Sequence, residues 1–588
     1  MSPPAPPVPP PTGTRPPTRI SAAIFATKAA VLRIRRACTN AVSGVHRHPH
    51  GNPADFPIVL AESHTPLWPE ENLEERAFQL GKVHNLRCAL RRLHRAAAPA
   101  GATFSFWKQV QRTSRRRGYV AGRMLQQGCL VPSIGGGLCQ LSNALYDVCL
   151  QADCDILERH AHSSVVPGSA AAIGRDATVA WNYVDLRFRP RQPMLVEALL
   201  TKDELIVRLR GLTRAQPVQA PSFVQLEAPR VATHHPNSCL TCGQQDCFRH
   251  AVPPAGIVSL GRTAFLVDEC WPEFQDYLRR ARQPEDVLGL PFDGVRWRLP
   301  RYRWDTGGYS RVKTAPFQTL SRALTSRRLQ AQGPARLKAQ FAAPEALADS
   351  LSNLLTSDVT SICVTQSLLP FLWNSGHLGG RTVRVLMTRL PIVTLQDRLD
   401  QAWHVHPERL NLHDFRAPDW IATAETEALR HAVEIITPHR EIACLFSGKT
   451  HLLDWSWPQV ERVLPPPVRA IAFPGPTTAR KGAYELRAAA KVLDLEVILL
   501  GSDLEGPDFW RGIRTCRAPT TWLTEVAAVV QPSLLEDKPR TLIAALAAGV
   551  PVIATEACGL GRHDLLTLIP ADDASTLQKA LAEIIPLV

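Results

Sequence analysis

Apolar residues recur at helical spacing through EERAFQLGKVHNLRCALRRLHRA and predict a helix, reached through a polar loop, within residues 56–95. Residues 21–42, SAAIFATKAAVLRIRRACTNAV, also fit an amphipathic helix, although Lys28 and an arginine cluster interrupt the apolar run. Further on, IGGGLCQLSNALYDVCLQA reads as a glycine turn that opens a helix. From residue 256 the pattern changes. Short β-branched runs, TAFLVDE, TSICVTQ, TVRVLMT, VEIITPH, VRAIAFPG, LEVILLGS and VPVIATE, alternate with helical stretches. Such alternation predicts parallel sheets covered by helices. Residues 214–237 are rich in Pro and Ala, lack a sustained period and form the main linker, and the prolines at 465–467 make a hinge between two α/β units.

At 588 residues the chain exceeds a single hydrophobic core, and about three or four domains are expected. A composition of 45% hydrophobic and 20% charged residues is that of a folded protein, while 50 prolines reserve some segments for loops. The opening stretch, MSPPAPPVPPPTGTRPPTR, is a basic Pro-rich tail expected to be disordered or polyproline II, and it is not a signal peptide. No window holds the roughly eighteen uninterrupted apolar residues of a transmembrane span, which leaves peripheral contact through residues 21–42 as the only membrane expectation, against the first reading of that segment as a solvated or packed helix. Fourteen scattered cysteines without an export signal imply reduced thiols and a cytoplasmic location. The net charge of +14 is mostly dispersed arginine with no aromatic-plus-basic motif beside it. That argues against nucleic acid and suits an anionic substrate such as a nucleotide diphosphate.

Candidate chemistry begins at Cys139, in the first turn of the helix that follows Gly135, Gly136 and Gly137. Free backbone N–H groups and the positive end of a helix favour a thiolate there, and glycines let a substrate approach the backbone. The run LERHAHSSVVPG places His160 and His162 on one face if it is extended, so either is a candidate base, and Asp176 is a candidate to orient the imidazole. The alternative for Cys139 is a small buried hydrophobe in a tight turn.

The motifs FSFW, RGY, GGGLCQLSNALY, ERHAHS and GRDATVAWNYVDLRF, with a closing pair of strands, make residues 101–211 resemble the VanW family. The resemblance implies a fold for this part, α+β, rather than a reaction.

Downstream, NSCLTCGQQDCFRH sets Cys239, Cys242 and Cys247 at C-x2-C-x4-C spacing with His250 three residues on. Three thiolates and an imidazole at this density suit tetrahedral Zn2+, with His234, His235 or Cys270 as substitute fourth ligands. An iron–sulfur cluster and metal-free thiols are the alternatives.

Residues 468–502 read strand, loop, helix, strand, and put Arg480 and Lys481 in a strand-to-helix loop, where open α/β sheets meet anions. With PS-x2-E and AAGVPVIAT further on, this end resembles the donor-binding domain of GT-B retaining glycosyltransferases. The resemblance implies that Arg480, Lys481 and Gly482 hold a nucleotide-sugar diphosphate, that Ser533 lies beside them, and that Glu536 faces the donor sugar. It also brings a departure: the second Glu of that family, eight positions after the first, is Ala544 here. In the preceding unit Glu425, Glu427, His431 and His439 are candidates, read first as surface charges.

The expected organisation is therefore multidomain α/β. A tail with a possible helix (1–40) precedes a VanW-like α+β domain (41–213), a linker (214–233) and a cysteine-rich metal knuckle (234–255). Two Rossmann-like units in a GT-B arrangement follow (256–460 and 461–588). The leading functional expectation is transfer of a sugar from a nucleotide sugar to an acceptor in cell-envelope or polysaccharide metabolism. The alternatives are thiol-dependent acyl or peptide chemistry at Cys139 and a non-catalytic scaffold with a degenerate transferase half, for which Ala544 is the support.

Overall fold

The structure is a computed structural model that describes residues 18–68, 76–126, 129–162, 170–213, 237–238, 247, 261–328, 334–414, 416–464, 466 and 468–585. The chain divides into two compact units. The first comprises Met1–Arg262 with Leu355–Thr360 and Ser375–Arg381, and the second Thr263–Leu354, Ser361–Asn374 and Thr382–Val588.

The first unit opens with helix α1 (Arg19–Val42), capped by the Thr18 hydroxyl. Its main sheet is antiparallel, in the order β1 (Ile58–Pro66), β9 (Glu204–Gly211), β8 (Met194–Leu200), β2 (Ala96–Ala98). Helix α2 (Arg76–Leu93) buries Val83, Leu86, Leu90 and Leu93 on one face and Leu80, Gly81, Asn85 and Cys88 on others, so it is a core helix enclosed on most sides. A second small sheet joins β3 (Phe104–Ser105), β7 (Arg187–Arg189) and β6 (Asp155–Glu158). Helix α3 (Phe106–Val110) begins at Ser105, whose hydroxyl accepts from the Lys108 amide. The hairpin β4 (Ala121–Gln126) and β5 (Cys129–Ile134) extends parallel to β10 (Asn237–Ser238). It delivers the chain to helix α4 (Cys139–Gln151). Leu141, Ala144, Leu145 and Val148 sit at i, i+3, i+4 and i+7, so one stripe of α4 enters the core shared with Phe104, Phe106 and Phe188. Each such fully buried ring or branched chain contributes about 2 kcal/mol.

The second unit holds two parallel sheets. One has the order β13 (Arg311–Thr314), β12 (Val287–Leu290), β11 (Arg262–Leu266), β14 (Val359–Thr365), β15 (Thr382–Leu386), β16 (Glu434–Thr437), β17 (Thr450–Leu452). The other has β20 (Thr515–Arg517), β19 (Glu496–Leu499), β18 (Ala470–Phe473), β21 (Ala528–Gln531), β22 (Val552–Thr555), β23 (Leu566–Ile569). Helices α5 (Pro272–Ala281), α6 (Pro316–Arg328), α7 (Pro334–Leu351), α8 (Leu369–Asn374), α9 (Ile392–Val405), α10 (Asp419–His431) and α11 (Arg440–Leu445) lie in the crossovers of the first sheet. Helices α12 (Ala483–Val492), α13 (Arg540–Ala548) and α14 (Ala574–Ile584) serve the second. In chain order each sheet runs outward from its first strand in one direction and then, from its fourth, in the other, the doubly wound Rossmann pattern. The expected α/β class is borne out, and every apolar run singled out in the sequence is a strand. Strands β18, β21 and β22 are buried throughout, as a sheet covered on both faces requires.

Candidate functional sites

A doubly wound sheet leaves a crevice at the carboxyl ends of its strands where the order reverses, here between β18 and β21. The loop leaving β18 ends at Gly482, whose φ of +78° and approach to Pro532 admit no side chain: a Cβ would stand 2.2 Å from the Pro532 carbonyl oxygen. This close seam brings the two strand exits together. The Leu534 amide donates to the Arg480 carbonyl (3.0 Å), and the Lys481 ammonium donates to the Leu535 carbonyl (2.7 Å) and to Glu536 Oε2 (2.9 Å). Gln531 also donates to Glu536 Oε2, and the Lys538 amide to Oε1 at 2.9 Å. Buried Ser533 lies under the seam, with its carbonyl accepting from Thr555 at 2.6 Å.

Lys481 is thus engaged by Glu536, whereas the Arg480 guanidinium has no hydrogen bond or ion pair among the described residues. Beside it, the Ala479 amide is met by Asn411 Oδ1 and Glu505 Oε1, each at 3.1 Å. A carboxylate of the protein itself therefore sits against a loop amide.

The strand exits of the first sheet close over this point. His439, beyond β16, donates from Nε2 to the Glu536 carbonyl at 3.1 Å, and burial lowers its pKa, leaving a neutral ring. Burial raises the pKa of Asp537, against the pull of the Lys481 and Arg389 charges. Lys538 pairs with Glu269 beyond β11 at 2.6 Å. Arg540 forks onto Glu273 at 2.6 and 2.7 Å with its guanidinium between Trp271 and Trp455.

Two of the four candidates first read as surface charges are buried instead. Glu425 is 1% exposed and accepts from Arg389 (3.0 Å) and Gln366 (3.2 Å), and His439 is 2% exposed. Glu427 pairs with Arg430 one turn away, and His431 stacks on Trp373. The sequence reading missed Asp537, Arg389 and Glu505. Asp537 adjoins Glu536 and was open to discovery, since residues just past a strand's carboxyl end line the crevice.

In the first unit, Asn85 clamps the glycine turn before α4: its amide donates to the Val120 and Gly136 carbonyls at 3.1 and 3.0 Å. Gly135 and Gly137 have φ of +79° and +98°. The turn delivers half-buried Cys139, whose sulfur lies 4.0 Å from the Val179 carbonyl oxygen. Ser142 and Asn143 of α4 hold the segment carrying Asp176, through the Ala177 carbonyl (2.6 Å) and amide (2.8 Å). Asp176 Oδ2 accepts from both the backbone amide and Nδ1 of His162, each at 2.7 Å, and Oδ1 accepts from Arg159 at 2.6 Å. Burial opposes charge on His162, but hydrogen bonds to Asp176 and Cys139 outweigh it and push its pKa up to about 9. Burial likewise opposes charge on Asp176, and hydrogen bonds from His162 and the Arg159 charge hold it down to about 2. At neutral pH, His162 is therefore an imidazolium between a sulfur and a carboxylate. His160 stands apart, half exposed, against Glu158 at 3.3 Å. Strand β6 ends at Glu158, so strand alternation does not reach the two histidines.

Among the described residues no group of three or more His, Cys, Asp or Glu is placed to hold a metal ion. Of the proposed knuckle, Cys239, Cys242 and His250, with His234 and His235, lie outside the described residues, and Cys247 is half-buried. Cys270 faces Gln275, and burial pushes its pKa up to about 12.

Residues 81–210 match the family model described as VanW like protein. The VanW-like segment thus begins earlier than its motifs suggested. It is 31% identical over 158 residues to the uncharacterized protein YoaR of Bacillus subtilis (strain 168), a match covering 25% of this chain and 51% of that protein. It is 30% identical over 152 residues to the vancomycin B-type resistance protein VanW of Enterococcus faecalis (strain ATCC 700802 / V583), covering 25% and 55%. The chain spans about half the length of the curated relatives it matches. Among solved structures, similarity over 55% of the chain extends to sucrose-phosphate synthase from Thermosynechococcus elongatus (15% identity, 89% of that chain, TM-score 0.36). It extends also to the lipopolysaccharide outer core galactosyltransferase WaaB (12% identity, 90% of that chain, TM-score 0.33). Anabaena HepE, in complex with UDP and glucose, is similar at 14% identity over 89% of its chain, with a TM-score of 0.31.

Proposed function

We propose that the second unit transfers a sugar from a nucleotide-sugar donor to an acceptor of cell-envelope or polysaccharide metabolism, with the VanW-like segment recognising or processing the acceptor. The observation that carries this reading is the Lys481–Glu536 pair at the point of strand-order reversal, with the Arg480 guanidinium beside it and unpaired among the described residues. A donor diphosphate in the β18–α12 loop would meet Arg480 and Lys481, which take up the negative charge that develops as the bond from sugar to phosphate breaks. Glu536 would then turn from Lys481 toward the sugar. The test is a thermal-shift screen of nucleoside diphosphates and their sugars on the full chain, since a ligand held by the native state alone raises its melting temperature. One nucleotide family should raise it in wild type and not in Lys481→Ala. A screen in which no nucleotide moves the transition ends this reading.

A second reading rests on its own observation, the imidazolium of His162 between Cys139 and Asp176. It is acyl or peptide chemistry at Cys139, and it predicts covalent trapping at that residue by an activated acyl donor. For Cys239, Cys242, Cys247 and His250 the spacing supports zinc, with an iron–sulfur cluster as the rival. Visible absorbance and elemental analysis of anaerobically purified protein separate the two.

A further inference from the structure

Helix α1 faces the first unit with its polar side. Arg36 forks onto Glu158 (2.8 and 2.5 Å), Arg33 donates to the Trp181 carbonyl at 3.3 Å and covers the Tyr183 ring, and Asn182 donates back to the Arg33 carbonyl at 3.1 Å. Ala29, on the same side, is its one buried residue. At about 100° per residue, Ile20, Ile24, Val31, Ile34 and Val42 fall within about 80° of each other on the opposite side. They are 74%, 52%, 61%, 67% and 90% exposed. A soluble helix normally turns such a stripe inward, and here it points to solvent.

The surroundings of the stripe are cationic. Exposed Lys28 and Arg35 border it, Arg19 stands at its start, and the first acidic residue of the sequence is Asp55. An apolar stripe rimmed by cations and free of carboxylates is complementary to the interface of an anionic bilayer. Apolar side chains enter the acyl boundary while Lys and Arg meet the headgroup phosphates. Among the described residues no helix is long and apolar enough to cross a membrane, so this contact is one of lying on the surface.

We propose that α1 is an interfacial helix that docks the protein on anionic lipid, with the side carrying Arg33 and Arg36 fixed to the rest of the first unit. The proposal does not depend on the transferase reading. It is tested by sedimenting the full chain with vesicles of phosphatidylcholine alone, or with about one-third phosphatidylglycerol. The wild type should pellet with the anionic vesicles, and added salt should weaken this. Both Ile24→Ser/Val31→Ser/Ile34→Ser and Lys28→Glu/Arg35→Glu should bind roughly tenfold more weakly, with unchanged thermal unfolding because the side chains are exposed. Binding by either variant equal to wild type overturns the proposal, as does wild type that ignores anionic vesicles. Light scattering that shows the serine variant abolishing a dimer, with no vesicle binding by wild type, would overturn it in favour of a self-association face.

Discussion

Lys481 and Glu536 hold each other 2.9 Å apart across two strand exits that are joined by the close approach of Gly482 to Pro532. Both side chains are largely buried, at 17% and 10% exposure, so removing one takes away the other's opposite charge and leaves it only neutral hydrogen-bond partners among the described residues. Lys481→Ala is expected to cost about 3 kcal/mol of stability and to weaken nucleotide-sugar binding at least tenfold. Glu536→Gln should keep nucleotide affinity within a few-fold and lose turnover, because the diphosphate is assigned to the cations and the sugar to the carboxylate. Calorimetry and a product assay on both variants measure the split. If Glu536→Gln lost affinity and kept turnover, the assignment of roles would be reversed.

Ala544 offers a gain-of-function test. It lies on α13, half-buried, eight positions after Glu536, at the position where the resemblance to GT-B donor-binding domains implies a second carboxylate. Ala544→Glu should tighten nucleotide binding about tenfold, the worth of one or two hydrogen bonds to a ribose. Calorimetry with the nucleotide found by the thermal-shift screen reads this directly, and unchanged affinity would place the ribose elsewhere.

Most central strands of the second unit were legible because strands covered on both faces are largely apolar, although the short central strand VLGL, buried throughout, was not singled out. The edge strands RVKT, THL and TCR are polar and short, and left no such run. Arg480 was legible as a loop residue at a strand exit, and Glu536 only through the resemblance to GT-B donor-binding domains. Arg389 and Glu505 were not, since they reach the crevice through packing between segments distant in sequence. In the first unit, the pairing of Cys139, His162 and Asp176 followed from their chemistry, but the choice of His162 over His160 depended on where β6 ends.

The His162–Asp176 pair predicts a definite pH dependence. His162 is raised from 6.5 to about 9, so its contribution is complete below pH 6.5 and lost as pH climbs through about 9. Asp176 is lowered from 3.8 to about 2, so its contribution is present above pH 3.8 and lost as pH falls through about 2. The first unit should be most stable between these limits. In urea melts from pH 5 to about pH 9, Asp176→Asn should flatten the alkaline decline seen in wild type. An unaltered alkaline limb in that variant would mean that His162 does not titrate through Asp176.

Reactivity at Cys139 follows from the same cluster. An imidazolium stabilises negative charge on a neighbouring sulfur, so a small alkylating reagent at neutral pH should modify Cys139 faster than Cys444, which is more exposed but has no charged partner among the described residues. His162→Ala should slow Cys139 about tenfold and leave Cys444 as a control unchanged, with peptide mapping by mass spectrometry as the readout. The two rates carry different information. Slow labelling of Cys139 in wild type and variant alike would make it a packed hydrophobe in the glycine turn. Fast labelling in both would mean that the turn, and not His162, activates the thiol.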